Sequence, residues 1–371
     1  MTVPRACWRH GREHGGRPER RAGPMAVVVG RGGHTGLAPH LVRDAEQLTC
    51  VPGTMDVNTL ARPNPAACTG AAPEENTVPL PRVDVVLLTM NDRPAEEAAA
   101  QATLLAQTGV ELRICVVGNG CAPAIVPAGA RTLALPENLG IPAGRNLGAR
   151  ALAEDGQGSD HLFFLDNDAT FPRPDVLARL VAEAGRHPRA AYVLPRLTGP
   201  DDRTTPRRWI PRLRSGHPER PGTVTTMTEG VVLIRRAAFE RAGGWADRFF
   251  LYHEGLDLAQ RLWDQGHTGW YAAGIRMHHP LTQPTRHALF HRLAARNRVW
   301  AAYRNLPAPL IPAYLFVWTT ATALRALRGG GAGESLRGFR EGWAGRHGQD
   351  RRPMRWRTAL RLTAAGRPPL L

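Results

Sequence analysis

The sequence predicts an α/β protein built on a doubly wound, mostly parallel sheet. Short continuous apolar runs alternate with longer stretches of helical character, the pattern of a sheet with helices on both faces. The apolar runs have no polar alternation of the kind a half-exposed strand shows, so both faces of each strand should be buried. Several of the runs end in a cluster of Asn, Asp, Thr or Gly, the residue types that collect where a sheet meets a ligand.

Taken in order, "VDVVLLTM" (83–90) is a first strand, and "RPAEEAAAQATLLAQ" after it is a helix with an early proline and early acids. "LRICVVGNG" (112–120) is a second strand and "ARTLALP" a weaker third. "IPAGRNLGARALAE" reads as a helix entered from the loop "ENLG". "HLFFLDND" is a fourth strand, followed by the helix "PDVLARLVAEAGRH". Beyond residue 190 the pattern loosens into "LTGPDDRTTPRRWIPRLRSGHPERPG", a basic, proline-rich loop expected to be mobile at the edge of a site. "TVTTMTEGVVLIRRAAFERAGGW" gives a strand, a turn and a short helix, and "HEGLDLAQRLWDQG" an amphipathic helix stopped by Gly266.

Composition narrows the function classes. The formal charge is +16, yet residues 83–280 hold 22 arginines and 22 acids, whereas residues 281–371 hold 16 arginines and 3 acids. A neutral middle and a basic end do not make the charged stripe of a nucleic-acid-binding domain. The chain contains no lysine, which excludes lysine nucleophiles and lysine phosphate contacts. Five widely spaced cysteines (Cys7, Cys50, Cys68, Cys115, Cys121) form no C-x-x-C pair, as expected of reduced thiols in a cytosolic protein without a zinc site. Residues 1–81 show little periodicity, and "MAVVVG" is too short for a secretory h-region. That stretch is expected to be disordered, or to lie upstream of a true start at Met55.

Asp166 and Asp168 carry the chemistry. Buried carboxylates are costly unless paired or metal-bound. Two of them one residue apart at a strand end suit a single Mg2+ or Mn2+ shared with a diphosphate, since these ions favour one or two carboxylates plus substrate phosphate oxygens. The competing reading of the pair alone is an Asx-type turn.

The ordered set "LLTMN", "VVGNG", "NLGIPAGRNLGA", "LDND", "EGLDLAQRL" and a late "HH" resembles family 2 glycosyltransferases of the GT-A fold, a Rossmann-like sheet. Within that family it is most similar to bacterial enzymes of the rhamnosyltransferase type. The resemblance covers roughly Val83 to Pro307. It implies that Thr89, Asn91 and Asn119 line the nucleobase and ribose pocket. It places Asn138, Gly140, Arg145 and Asn146 beside the donor's ribose or phosphates, with Asp166 touching the donor as well. It also implies Asp166 and Asp168 as metal ligands, joined by one of His278 and His279, with His278 favoured; as strand neighbours only one of the two can face the site. The family commonly shows adjacent Glu and Asp before a further Asp-Leu. Here Glu254 is followed by Gly255, and Asp257 is kept. The general base that inverting transfer needs is therefore expected at Glu254 or Asp257.

The expected organisation is an extension over 1–81, a transferase domain over 82–304 (donor half 82–168, acceptor half 169–304) and a helical tail over 305–371. "NLPAPLIPAYLFVWTTATALRAL" in the tail, flanked by arginines, suits a helix lying in a membrane interface; a helix packed on the domain is the alternative. The expected partners are a UDP-, dTDP- or GDP-sugar donor, a glycan or lipid-linked acceptor and a membrane surface, with no nucleic acid. The expected location is cytoplasmic and peripheral on the inner face of the plasma membrane. Competing functions are a sugar-phosphate nucleotidylyltransferase, disfavoured by the absence of lysine and of an opening glycine-rich loop, and a non-catalytic basic membrane- or nucleic-acid-binding protein.

Overall fold

The computed structural model describes residues 79–371, apart from residues 155, 157, 212–216, 282–288 and 371. The expectations for residues 1–78 lie outside these residues, as does part of the basic loop. Among the described residues, eight strands form a single sheet: β1 (Arg82–Thr89), β2 (Glu111–Asn119), β3 (Arg131–Leu135), β4 (His161–Asp166), β5 (Ala190–Thr198), β6 (Gly222–Val224), β7 (Val231–Arg235) and β8 (Thr268–His278). Their spatial order is β3-β2-β1-β4-β7-β5-β8-β6. The first four strands are mutually parallel and β5 is parallel to β8, whereas β7 runs antiparallel to β4 and β5, and β6 antiparallel to β8. This is the expected mostly parallel α/β sheet, with β6 and β7 as its antiparallel members.

Both faces of the sheet are covered, which explains the unbroken apolar runs. Val83, Val85 and Leu87 of β1 join Phe163 and Leu165 of β4 in one core, while Val86, Leu162 and Phe164 enter the core on the opposite face. The period-2 alternation of strand side chains thus feeds two hydrophobic layers. Asp84 interrupts the run in β1 and is fully buried. Arg113 holds it bidentately at 2.8 Å and Arg236 ion-pairs with it as well, so the charge is compensated.

Helix α1 (Pro94–Leu105) follows β1, α2 (Ile141–Ala151) precedes β4, and α3 (Val176–Arg186) precedes β5. Gly144 and Gly148 let α2 lie flat on β1 and β2: a Cβ on Gly148 would stand 2.6 Å from a Val86 methyl. Helix α4 (Arg236–Ala242) follows β7, and α5 (Glu254–Asp264) leads into β8. Beyond the sheet come α6 (Phe290–Asn305), α7 (Leu310–Gly329), α8 (Ala332–Ala344) and α9 (Trp356–Ala364).

The sequence reading left out β5. Its nine residues are all buried between β7 and β8. Pro195, which cannot donate to a ladder, sits at a register shift between Pro195 and Arg196.

Helix α7 packs one side on the body through Leu310, Ile311, Tyr314, Leu315 and Trp318. The window Leu310–Leu327 is long and apolar enough to cross a membrane, and only 6% of it is buried. Phe316, Leu324 and Leu327 face outward, at 72%, 58% and 84% exposure.

Candidate active site

Strands β2, β1 and β4 are neighbours running in one direction, so Asn119, Thr89 and Asp166 end on the same rim of the sheet. The backbone there is shaped by side-chain hydrogen bonds. Thr89 Oγ1 bonds to Glu97 and accepts the Asn91 N–H at 3.0 Å. Asn91, at φ 55°, ties itself to Ala122 and Ala124 in the loop after β2. Asn119 donates to Asn138 Oδ1 at 2.8 Å and accepts the Leu139 N–H at 2.9 Å. Asn138 Oδ1 in turn accepts the Gly140 N–H. Gly140 is required in its place: its φ is 85°, and a Cβ would lie 2.5 Å from Phe250 Cα. These five residues form one polar shelf at the carboxyl ends of β1 and β2.

Asp166 and Asp168 stand beside that shelf. Arg145, on α2 and 1% exposed, donates to Asp166 Oδ1 at 2.6 Å and to the Glu229 carbonyl at 2.7 Å. Its Nε has no partner. Burial alone would raise the pKa of Asp166, but Arg145 and then His279 outweigh it and hold the group at about 2. Arg93 ion-pairs with Asp168 Oδ2.

His279, rather than His278, completes the cluster. Its Nε2 lies 3.3 Å from Asp168 Oδ1 and 3.6 Å from Asp166 Oδ2. Its Nδ1 lies 3.0 Å from the Pro280 carbonyl, and since that oxygen can only accept, Nδ1 carries a proton and Nε2 is the atom aimed at the carboxylates. Burial lowers its pKa, but Asp166 and Asp168 together leave it above the ordinary value. Trp209, from the basic loop, stands edge-on to the ring at 5.2 Å between centroids. His278 points the other way, to Asp202 at 3.1 Å, while its backbone pairs with Thr170. The alternation of neighbouring side chains held; the choice between the two is corrected.

Ligand atoms of Asp166, Asp168 and His279 lie within 4.8 Å of one another. Two carboxylates and an imidazole whose other nitrogen is fixed by a carbonyl fit a divalent ion.

Two other expected residues are not brought to the rim. Asn146 is buried and bonded to Trp245 through both backbone groups, as well as to Asp247, so it anchors the loop after α4. Asp257 lies inside, where Arg261, Arg304 and Asn305 all donate to it. Burial raises its pKa, but the two arginines more than reverse this. It joins α5 to α6 and is not placed to accept a substrate proton.

Glu254 opens α5 at 1% exposure, and its Oε2 has no partner. The turn before it is strained: Phe250, Tyr252 and His253 all have positive φ. Asn297 Nδ2 holds that turn: the carbonyls of Phe249, Leu251 and Tyr252 lie each 2.8 Å from it and share its two N–H donors. Beside Glu254 stands Glu229, which the sequence reading missed. It is half-buried, and its Oε1 accepts the Gly255 N–H at 2.8 Å. Burial raises the pKa of both acids, and the charge of Glu229 raises that of Glu254 further.

Residues 85–243 match the model described as glycosyl transferase family 2. A curated relative, the N-acetylglucosaminyl-diphospho-decaprenol L-rhamnosyltransferase of Mycobacterium tuberculosis, is 27% identical over 232 residues, covering 51% of this chain and 71% of the relative. Among solved structures, GalNAc-T7 with UDP, GalNAc and Mn2+ is similar at TM-score 0.49 and 15% identity, over 72% of this chain; the present chain spans 55% of that one's length. The mannosyltransferase PcManGT of Pyrobaculum calidifontis, in complex with GDP-Man and Mn2+, is similar at TM-score 0.45 and 16% identity, over 72% of this chain and 87% of its own. The ordered motifs and the match over residues 85–243 thus mark that segment as a family 2 glycosyltransferase domain, in a chain similar to a bacterial rhamnosyltransferase.

Proposed function

We propose that this enzyme is a metal-dependent, inverting transferase that moves a sugar, a deoxyhexose such as rhamnose by analogy with the curated relative, from a nucleoside-diphosphate donor to a polyprenyl-diphosphate-linked glycan at the membrane surface. The observation that carries the reading is the cluster of Asp166, Asp168 and His279 at the carboxyl rim of the sheet, backed by Arg145. Mg2+ or Mn2+ held there would supply charge neutralisation to the departing diphosphate. The chain's own residues divide the remaining work. The shelf of Thr89, Asn91, Asn119, Asn138 and Gly140 offers a rigid surface for base and ribose. Arg145 keeps Asp166 ionised and fixed in direction. A carboxylate beside the first turn of α5, from the pair Glu254 and Glu229, accepts the acceptor's proton.

The outward apolar face of α7 supports a peripheral position on the inner leaflet, where a lipid-linked acceptor would be met. The arginines of the tail would attract anionic lipid there.

Calorimetric titration of the full chain with UDP, dTDP and GDP, each with and without Mn2+, tests the donor site. One nucleotide should bind in a metal-dependent manner. Asp168→Asn and His279→Ala should abolish the metal dependence, while His278→Ala should keep it. No binding by any nucleotide refutes the reading.

A further inference from the structure

The position where the family's second acid is missing is not vacant space. A Cβ built on Gly255 would lie 2.5 Å from Glu229 Cγ and 3.0 Å from Glu229 Oε1, so the glutamate side chain already fills the volume that a side chain at 255 would need. The carboxylate is held there by the Gly255 N–H at 2.8 Å, in the first turn of α5, where the helix favours negative charge. Its backbone is fixed to the donor end of the site on both sides. Arg145 bonds the Glu229 carbonyl, the Asp166 N–H bonds the Gly230 carbonyl at 2.8 Å, and a Cβ on Gly230 would collide with the Asp166 carboxylate. Glu254, one of the two acids the sequence offered, is 1% exposed, whereas Glu229 is less buried.

We propose that Glu229, reaching from the loop between β6 and β7 into the space left by Gly255, is the catalytic base of the transfer, and that Glu254 supports it from behind. The inference rests on the transferase reading given above. In the step, the acceptor hydroxyl oxygen forms a bond to the anomeric carbon as the bond from that carbon to the diphosphate oxygen breaks. The electron pair leaves with the nucleoside diphosphate, and the hydroxyl proton passes to a Glu229 carboxylate oxygen and then to solvent. A carboxylate supplied by a different element thus stands where the family's adjacent pair would place one, and glycine at 255 is the condition for it.

The test uses the full chain with Mn2+, and the nucleotide sugar whose nucleotide binds in the titration above. Turnover is measured with N-acetylglucosaminyl-diphospho-decaprenol as acceptor and, separately, with water. Glu229→Gln keeps an oxygen for the Gly255 N–H, so the helix start is retained. It should lower turnover about 100- to 10,000-fold with nucleotide affinity and melting temperature unchanged. Gly255→Asp alone should also lose turnover, since its Cβ displaces Glu229. The double variant Glu229→Gly with Gly255→Asp moves the carboxylate back to α5 and should recover a large part of the lost rate. Full turnover in Glu229→Gln, or no turnover by a wild-type chain that binds donor, overturns the role of Glu229 and leaves the donor site standing. A wild-type chain that binds no nucleotide overturns both.

Discussion

Asp257→Asn separates an anchoring carboxylate from a catalytic one. Asp257 has no exposed side-chain surface, and its two oxygens accept from Arg261 Nε at 2.9 Å, Arg304 Nε at 2.8 Å and Asn305 Nδ2 at 2.8 Å. Both arginine side chains are only 11% exposed, so removing the anion leaves two cations with little access to water. Breaking a buried pair in this way costs about 3–5 kcal/mol. The small residual exposure of the arginines favours the lower end. For a domain of this size each kcal/mol moves the melting temperature by about 2–4 °C, so a drop of roughly 6–12 °C is expected. Donor turnover at a temperature where the variant is folded should be largely kept. The pH dependence has a definite sign. The pKa of Asp257 is lowered in the folded state, so its contribution is present above the ordinary carboxylate value of about 4 and is lost as pH falls through the folded value. The gap between wild type and variant should therefore narrow in acid. An unchanged melting temperature with abolished turnover would refute the anchoring role and return Asp257 to the chemistry.

Three further outcomes follow from the geometry. Gly140→Ala forces a Cβ against Phe250 at a left-handed φ, and should cost about 1–3 kcal/mol in urea denaturation and weaken nucleotide binding, because the Asn119–Asn138 shelf moves with it. Asn297→Ala leaves the carbonyls of Phe249, Leu251 and Tyr252 without their shared donor; stability should fall by about 1–3 kcal/mol, and amide exchange at residues 249–253 should accelerate. Replacing Phe316, Leu324 and Leu327 together by serine should leave the melting temperature unchanged, since all three are exposed, while flotation with anionic vesicles falls by at least about tenfold per side chain.

Much of the fold from β1 to β4 was legible because its physics is local. Continuous apolar runs mark strands buried on both faces, and the polar residues ending β1, β2 and β4 could be assigned to one rim once the strands were taken as parallel. What was not legible depends on contacts distant in sequence. The pattern loosens at β5, where the register shift beside Pro195 is set by pairing with the distant β8. The orientation of His279 is fixed by the Pro280 carbonyl and by carboxylates more than a hundred residues away. Asn146 looked like a donor contact in its motif, but its partners are Trp245 and Asp247. Glu229 carried one faint signal: an acid at the end of "TMTE", close to the strand that borders β4, in a chain that lacks an acid at 255.

The ion cluster around Asp257 bears on how far the chain can be shortened. A boundary after residue 304 would fall between Arg304 and Asn305, two donors to the same carboxylate. The segment that follows is also tied back: Arg352 and Met354 donate backbone bonds to the carbonyls of Arg304 and Asn305, and Arg355 and Thr358 reach Asp264 at the far end of α5. The terminal helices are thus less an appendage than a brace clamped along α5, the helix whose first residue is Glu254. A protein cut at 304 to remove its apolar surface would lose the support of the helix that carries Glu254, and gains in solubility made that way should come at the expense of activity.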